Sequence, residues 1–122
     1  MSQRRLTILR IAFWAAVLFA FAMAVIPQPP EIPGAPSDKV QHISAFLVLG
    51  ALAFFAYPEA KRTVVALGLS VFGALIEFAQ AIPALHRDSD ILDWIADTAA
   101  AAFILILLHW LYSRIRRSSR GR

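Results

Sequence analysis

Glu77, Asp93, Asp97 and His42 stand inside stretches that are otherwise apolar, and side chains of these types could move protons, hold a polar headgroup or ligate a cation. An ionisable group within a membrane-spanning helix costs at least about 2.5 to 3.5 kcal/mol on insertion scales, so each one calls for a partner or a task. Glu77 lies six residues before Pro83, about 9 Å along a helix from its end, and Gln80 at i+3 shares its face. A second polar stretch opens the next element to the N-terminal side, Ser37-Asp38-Lys39-Val40-Gln41-His42. Asp38 followed by Gln41 reads as a capping box. Capping does not account for His42, one turn deeper at i+4 from Asp38. A third stretch runs from Arg87 to Asp97, in which Asp90 or Ser89 can cap a helix and first-turn carboxylates suit the helix dipole. That explanation covers Asp88 and Asp90, but Asp93 and Asp97, at i and i+4, point two further carboxylates in one direction.

Three elements thus present polar groups at similar depth, with Lys39 and Arg87 above them. Glu77 or Asp93 is the expected proton-transfer group, with His42 as its partner, and buried and charge-paired carboxylates are how acid and base roles diverge. Asp38, Lys39, Gln80, Arg87 and Asp97 are the expected substrate-binding residues, Arg87 and Lys39 being suited to phosphate. A metal version would use His42 with Asp38, Glu77 and Asp93. One His and no dense ligand motif give no metal expectation, and no cofactor is expected either. The chain has no cysteine, which removes disulfides, thiolate zinc sites and cysteine nucleophiles. Two other readings stay open: a non-catalytic accessory protein in which the cluster is structural glue, and a proton-coupled transporter, for which no inverted repeat is visible. Whether the chain is an enzyme is left open by the residues.

The elements that must position these groups are membrane helices. Of 122 residues, 59% are hydrophobic and 16% charged, and mean hydropathy is +0.64, well to the apolar side of soluble chains. Spans of about 20 apolar residues cross a hydrocarbon core of roughly 30 Å. Four are expected, over 6–26, 40–57, 63–82 and 91–112, in one all-α domain covering 1–122. Pro27, Pro29 and Pro30 stop the first, Pro58 follows the second and Pro83 ends the third. Positive charge stays cytoplasmic. Arg4, Arg5, Arg10, Lys61, Arg62, Arg114, Arg116, Arg117, Arg120 and Arg122 fall on one side, against Lys39 and Arg87 on the other. Both termini are therefore expected inside, with the Pro-rich 27–38 connector and the 83–90 loop outside. The first span has an alternative reading as a cleaved signal peptide, with Ala22-Met23-Ala24 as its small-residue site. The net charge of +4 sits beside apolar spans, so lipid headgroups are the expected partners and nucleic acid is not. Ala96 and Ala99 to Ala102 are small enough to admit close helix contact, while Leu108 is expected on an exposed face and Glu59 as a solvated loop acid.

The run Asp38-Lys39-Val40-Gln41-His42 with Phe46, then Glu77-Phe78-Ala79-Gln80, Arg87 and Asp93-Trp94-Ile95-Ala96-Asp97 resembles the VanZ-like family of bacterial membrane proteins. The likeness covers about 38–102 and lies in order and spacing. It departs at Asp97, where many relatives carry Asn, and at Ala100, where many carry Gly. The resemblance implies a multi-pass protein of the bacterial cytoplasmic membrane with an envelope role linked to resistance to the glycopeptide teicoplanin. On that basis the outer polar cluster is expected to bind or process a polar, lipid-linked or cell-wall molecule. It implies no particular reaction.

Overall fold

The computed structural model of the chain describes residues 1–27, 33–34 and 37–121. They form four α-helices, α1 (Gln3–Val25), α2 (Asp38–Ala56), α3 (Arg62–Gln80) and α4 (Ile91–Arg120), with a 3-10 turn at Pro83–Leu85. All four are long and apolar enough to cross a membrane, and no strand occurs among the described residues. The expected spans are recovered with ends shifted by a few residues, except that α4 runs eight residues past Tyr112. Its 30 residues extend about 45 Å, beyond a hydrocarbon core of roughly 30 Å, and carry the arginines out of it. Pro29, Pro30 and most of the Pro-rich connector lie outside the described residues, as does Arg122.

Local chemistry sets the helix starts. Ser2 Oγ accepts from Arg5 N at 3.4 Å, Ser37 Oγ from Val40 N at 3.3 Å, and Asp90 Oδ1 from Leu92 N at 2.9 Å. The cap of α2 is therefore Ser37, one residue before the expected Asp38, which sits in the first turn where a carboxylate suits the dipole. The expectation of Asp90 at the start of α4 holds.

Large apolar side chains face outward along the spans, Leu18, Leu67, Phe78 and Ile106 each at least 66% exposed. In water such a surface would aggregate; in hydrocarbon it is the solvated one. What holds the helices together is therefore close contact and hydrogen bonding rather than hydrophobic exclusion. α2 lies against α1, α3 and α4, and most extensively against α4. Phe46, Leu49, Ala53, Ala56, Ala101 and Leu105 are almost wholly enclosed. Ala100 and Ala101 meet the packing expectation, whereas Ala99 is exposed and Leu108 is half-buried rather than exposed. A small residue the sequence reading missed sets the closest approach: a Cβ at Gly50 would collide with Ile104 Cγ2 and lie 3.5 Å from Ala101 O.

The four helices alternate in direction, so the α1–α2 and α3–α4 connections share one end with the polar cluster, called here the site end. At the opposite, Arg-rich end, Arg10 Nε donates to Ala56 O at 3.0 Å, and its Nη2 pairs with Glu59 Oε1 at 3.0 Å. Glu59, expected to be merely solvated, is thus an ion-pair partner, though an exposed one worth about 0 to 1 kcal/mol. Trp14 Nε1 donates to the Tyr57 hydroxyl at 2.8 Å, tying α1 to the same turn.

Gly50 and Gly68 make a matched pair for testing this packing, since nothing lies within 4 Å of a Cβ at Gly68. Gly50→Ala should lower detergent-solubilised stability by about 1 to 3 kcal/mol through overpacking. Gly68→Ala should be neutral or better, because alanine is the stronger helix former. Equal melting temperatures for the two variants would argue against the α2–α4 contact. For orientation, the charge asymmetry predicts that cysteines at Ser37 and Ala84 react with an impermeant reagent added outside intact cells, and cysteines at Glu59 and Ser118 do not; the reverse pattern would invert the bundle.

Candidate functional site

α2 and α4 run in the same direction, and their polar residues pair in step. Lys39 Nζ lies 3.7 Å from Asp93 Oδ1, and one turn deeper His42 Nδ1 lies 3.3 Å from Asp97 Oδ2. The i, i+4 spacing of the aspartates on α4 thus meets an i, i+3 spacing on α2, two repeats that both return to one helix face. Asp97 has no exposed surface. It can be enclosed because α3 has a glycine opposite: a Cβ at Gly73 would lie 3.5 Å from Asp97 Cβ and 3.4 Å from both the Phe46 and Trp94 rings. Phe46, four residues after His42 and 1% exposed, packs inside the bundle against Gly73 and the Phe72 ring.

Glu77 comes to the same place from α3. Its Oε2 accepts from Asp90 N at 2.9 Å and from Ser89 Oγ at 3.3 Å, while Ser89 Oγ also donates to Glu77 O at 3.0 Å. A carboxylate at the N-terminus of α4 satisfies a backbone donor and complements the dipole there. Each buried carboxylate therefore spends one oxygen on the fold. Its other oxygen, Glu77 Oε1 or Asp97 Oδ1, is buried with no group donating to it among the described residues. One donor atom from each of His42, Glu77 and Asp97 falls within a common 4.8 Å.

The remaining expected residues divide into two groups. Asp93 is engaged by Lys39, at the mouth of the cluster rather than in it, so His42 has Asp97 as its carboxylate partner. Gln80 and Arg87 reach α1 instead of the cluster. Gln80 Nε2 donates to Ala24 O at 3.1 Å, and Arg87 donates from Nε to Ile26 O at 2.9 Å and from Nη2 to Met23 O at 2.8 Å. These carbonyls belong to the last turn and cap of α1, whose acceptors have no intrahelical donor, and a cation suits that end of the dipole. Arg87 is aimed there by the sharp turn before it, where His86 adopts φ 49° after the 3-10 helix. Arg87 Nη1 also lies 3.9 Å from Asp38 Oδ2, which places Asp38 at the rim.

Sequence reasoning missed Ser70, Thr98, Gly73 and the side-chain role of Ser89. Ser70 and Thr98 hydroxyls are 2.9 Å apart, and Trp94 Nε1 donates to Ser70 O at 3.0 Å, so α3 and α4 are also bonded directly beneath the carboxylates. Small hydroxyls and glycine cost little inside a span, so neither stands out by composition.

Beside this cluster, a cavity of about 390 Å³ opens between α3 and α4, walled by Ala74, Phe78, Ala81, Ile91 and Trp94, with Glu77 and Ser89 at its polar side. A larger one, about 670 Å³, lies at the Arg-rich end among Arg62, Arg116, Arg120 and His109. It is basic and is lined by no carboxylate among the described residues, which suits an anionic headgroup resting there. Of these two, the smaller reaches the polar cluster, at Glu77. No protein-family model, no curated protein and no solved structure matches this chain.

The two carbonyl contacts of Arg87 predict a structural penalty. Its side chain is 11% exposed, and hydrogen bonds from a charged donor contribute about 1.5 to 3 kcal/mol each. Arg87→Gln should lower thermal stability in detergent by an amount of that order and loosen α1, detected as faster proteolysis near Ile26. Arg114→Gln, at an exposed position of α4, should do neither. Matching melts and digestion patterns for both would remove the structural role of Arg87.

Proposed function

We propose that this chain is a VanZ-like integral membrane protein of the bacterial cell envelope, with both termini in the cytoplasm. On this reading the outer polar cluster binds or processes the polar headgroup of a lipid-linked envelope molecule, in a role linked to glycopeptide (teicoplanin) resistance. The observation that carries the reading is the α3–α4 cavity. It is apolar where it meets the exposed faces of Phe78 and Ile91 and polar where Glu77 and Ser89 stand. An amphiphile could keep its chain in the bilayer and bring its headgroup to the carboxylates without crossing a hydrophobic barrier, and the volume falls within the range of about 300 to 1,000 Å³ of small-molecule sites. The pair placed to move a proton is His42 with Asp97, and Glu77 faces the incoming headgroup. Lys39, exposed at the rim beside Asp93, gives the charge that would attract a phosphate.

A second reading, the accessory protein, also has a specific observation behind it. Glu77 ties α3 to the start of α4, Gln80 ties α3 to α1, and Arg87 and Ser89 fasten the α3–α4 loop to α1 and α3. A cluster that only glues helices would need those bonds and nothing more. Glu77→Gln separates the readings, because an amide keeps an acceptor for Asp90 N and removes the charge.

The test is complementation of a deletion strain, scored by envelope phenotype and lipid turnover at matched membrane levels. His42→Ala, Glu77→Gln and Asp97→Ala should each reduce function at least tenfold, and any two together should add little, as residues acting as a unit do. Asp88→Asn, on the loop, should keep most of it. Full function from a well-expressed Glu77→Gln would favour the accessory reading.

A further inference from the structure

We infer that His42, Glu77 and Asp97 form a binding site for one first-row divalent cation of the zinc or manganese type, with at least one coordination position turned to the headgroup site. Two carboxylates and one imidazole from three different helices converge within 4.8 Å. The buried atoms lacking a partner among the described residues are Glu77 Oε1, Gln80 Oε1 and Asp97 Oδ1, and every one of them is an acceptor. Because Gln80 Nε2 is bonded to Ala24 O, its amide orientation is fixed and Oε1 is an acceptor without choice. The two carboxyl oxygens belong to residues that converge with an imidazole, and a cation shared by the three would supply what those oxygens lack. The neighbouring cations are already engaged, Lys39 with Asp93 and Arg87 with Asp38 and the end of α1. A dication would neutralise both carboxylates and leave a neutral imidazole, so no net charge would be held in the span.

Distances agree with this assignment. The 3.3 Å between His42 Nδ1 and Asp97 Oδ2 is longer than the 2.7 to 2.9 Å or so of a charge-assisted hydrogen bond. It is close to the edge of a tetrahedron whose bonds are about 2.0 Å, about 3.3 Å, so a cation held by His42 Nδ1 and Asp97 Oδ2 would replace that hydrogen bond. The trio lies within 4.8 Å, so Glu77 would have to close by up to about 1.5 Å to reach the same edge length. One nitrogen and two oxygens suit zinc or manganese. Calcium, which takes about 6 to 8 oxygens, is not matched. Three protein ligands leave zinc a fourth position, the arrangement of sites that act on a ligand rather than merely brace a fold. This inference deepens the headgroup proposal and rests on it only for what fills that last position; the cation site itself stands on the donor geometry.

The experiment uses the full-length, tag-free protein in detergent, stripped with chelator and titrated with Zn²⁺ or Mn²⁺ alone, without lipid. Close to one ion per chain should bind and raise the melting temperature. Substituting Co²⁺ into the wild-type protein should produce visible d–d bands of N/O coordination, a readout independent of any variant's folding. His42→Ala and Asp97→Asn should weaken binding more than tenfold, and Asp88→Asn should leave it unchanged. Absence of stoichiometric binding and of cobalt bands in the wild-type chain would overturn the site, as would binding that folded His42→Ala and Asp97→Asn retain. Because no lipid is present, either result leaves the headgroup proposal to its own complementation test, and failure there would not remove a measured ion.

Discussion

Asp97, a carboxylate with no exposed surface inside an apolar bundle, is the constraint around which the rest of this structure is arranged. Hydrocarbon offers it no hydrogen bonds, so everything that makes its burial tolerable must come from neighbouring helices. His42 approaches from α2, Gly73 clears space on α3, and Phe46 and Trp94 close the sides. Moving any one of these helices by a turn would strand the carboxylate. A single costly group therefore fixes the register of three helices, a specificity that apolar packing between lipid-like surfaces would not supply.

The rest of the bundle extends the same logic in both directions along α2 and α4. Toward the site end, Lys39 and Asp93 repeat the cross-helix pairing nearer water, where it costs less. Toward the Arg-rich end, Gly50 and Ala101 replace polar contact by direct backbone approach. α1 is attached differently, by donors from the loops and neighbouring helices reaching its final carbonyls. The ties at Gln80 and Arg87 make α1 a clamped outer member, while α2, α3 and α4 carry the carboxylates and the imidazole.

The number, class and approximate ends of the helices were legible because span length, proline punctuation and hydropathy are properties of contiguous segments. Polar residues in the spans were legible as anomalies for the same reason. Which of them meet was not. The depth of Glu77, His42, Asp93 and Asp97 can be counted along a chain, but helix rotation decides that His42 faces Asp97 while Asp93 turns to Lys39. Rotation in turn depends on residues with no polar signal, Gly50 and Gly73, whose importance lies in what is opposite them. Gln80 and Arg87 share depth with the cluster yet point to α1, since the unsatisfied carbonyls ending α1 exert a pull that no pattern within α3 or the loop reveals. The α2 cap moved from Asp38 to Ser37 for a similar reason: either residue has a suitable oxygen, and the chain direction entering the helix selects between them.

The division of each carboxylate into two unlike oxygens reconciles the structural and the chemical accounts of this site. One oxygen of Glu77 starts α4 and one oxygen of Asp97 engages His42, so both residues are necessary to the fold. Had structure been their whole purpose, an amide or hydroxyl could have supplied one acceptor at far lower desolvation cost, as Ser70 and Thr98 do one step away. Carboxyl groups stand instead at two positions whose second oxygens have no partner among the described residues and which converge with an imidazole. Because the three residues sit on helices packed through Gly73, Phe46 and the Ser70–Thr98 bond, the site that we propose would need a side-chain adjustment at Glu77 rather than loop closure to take a ligand.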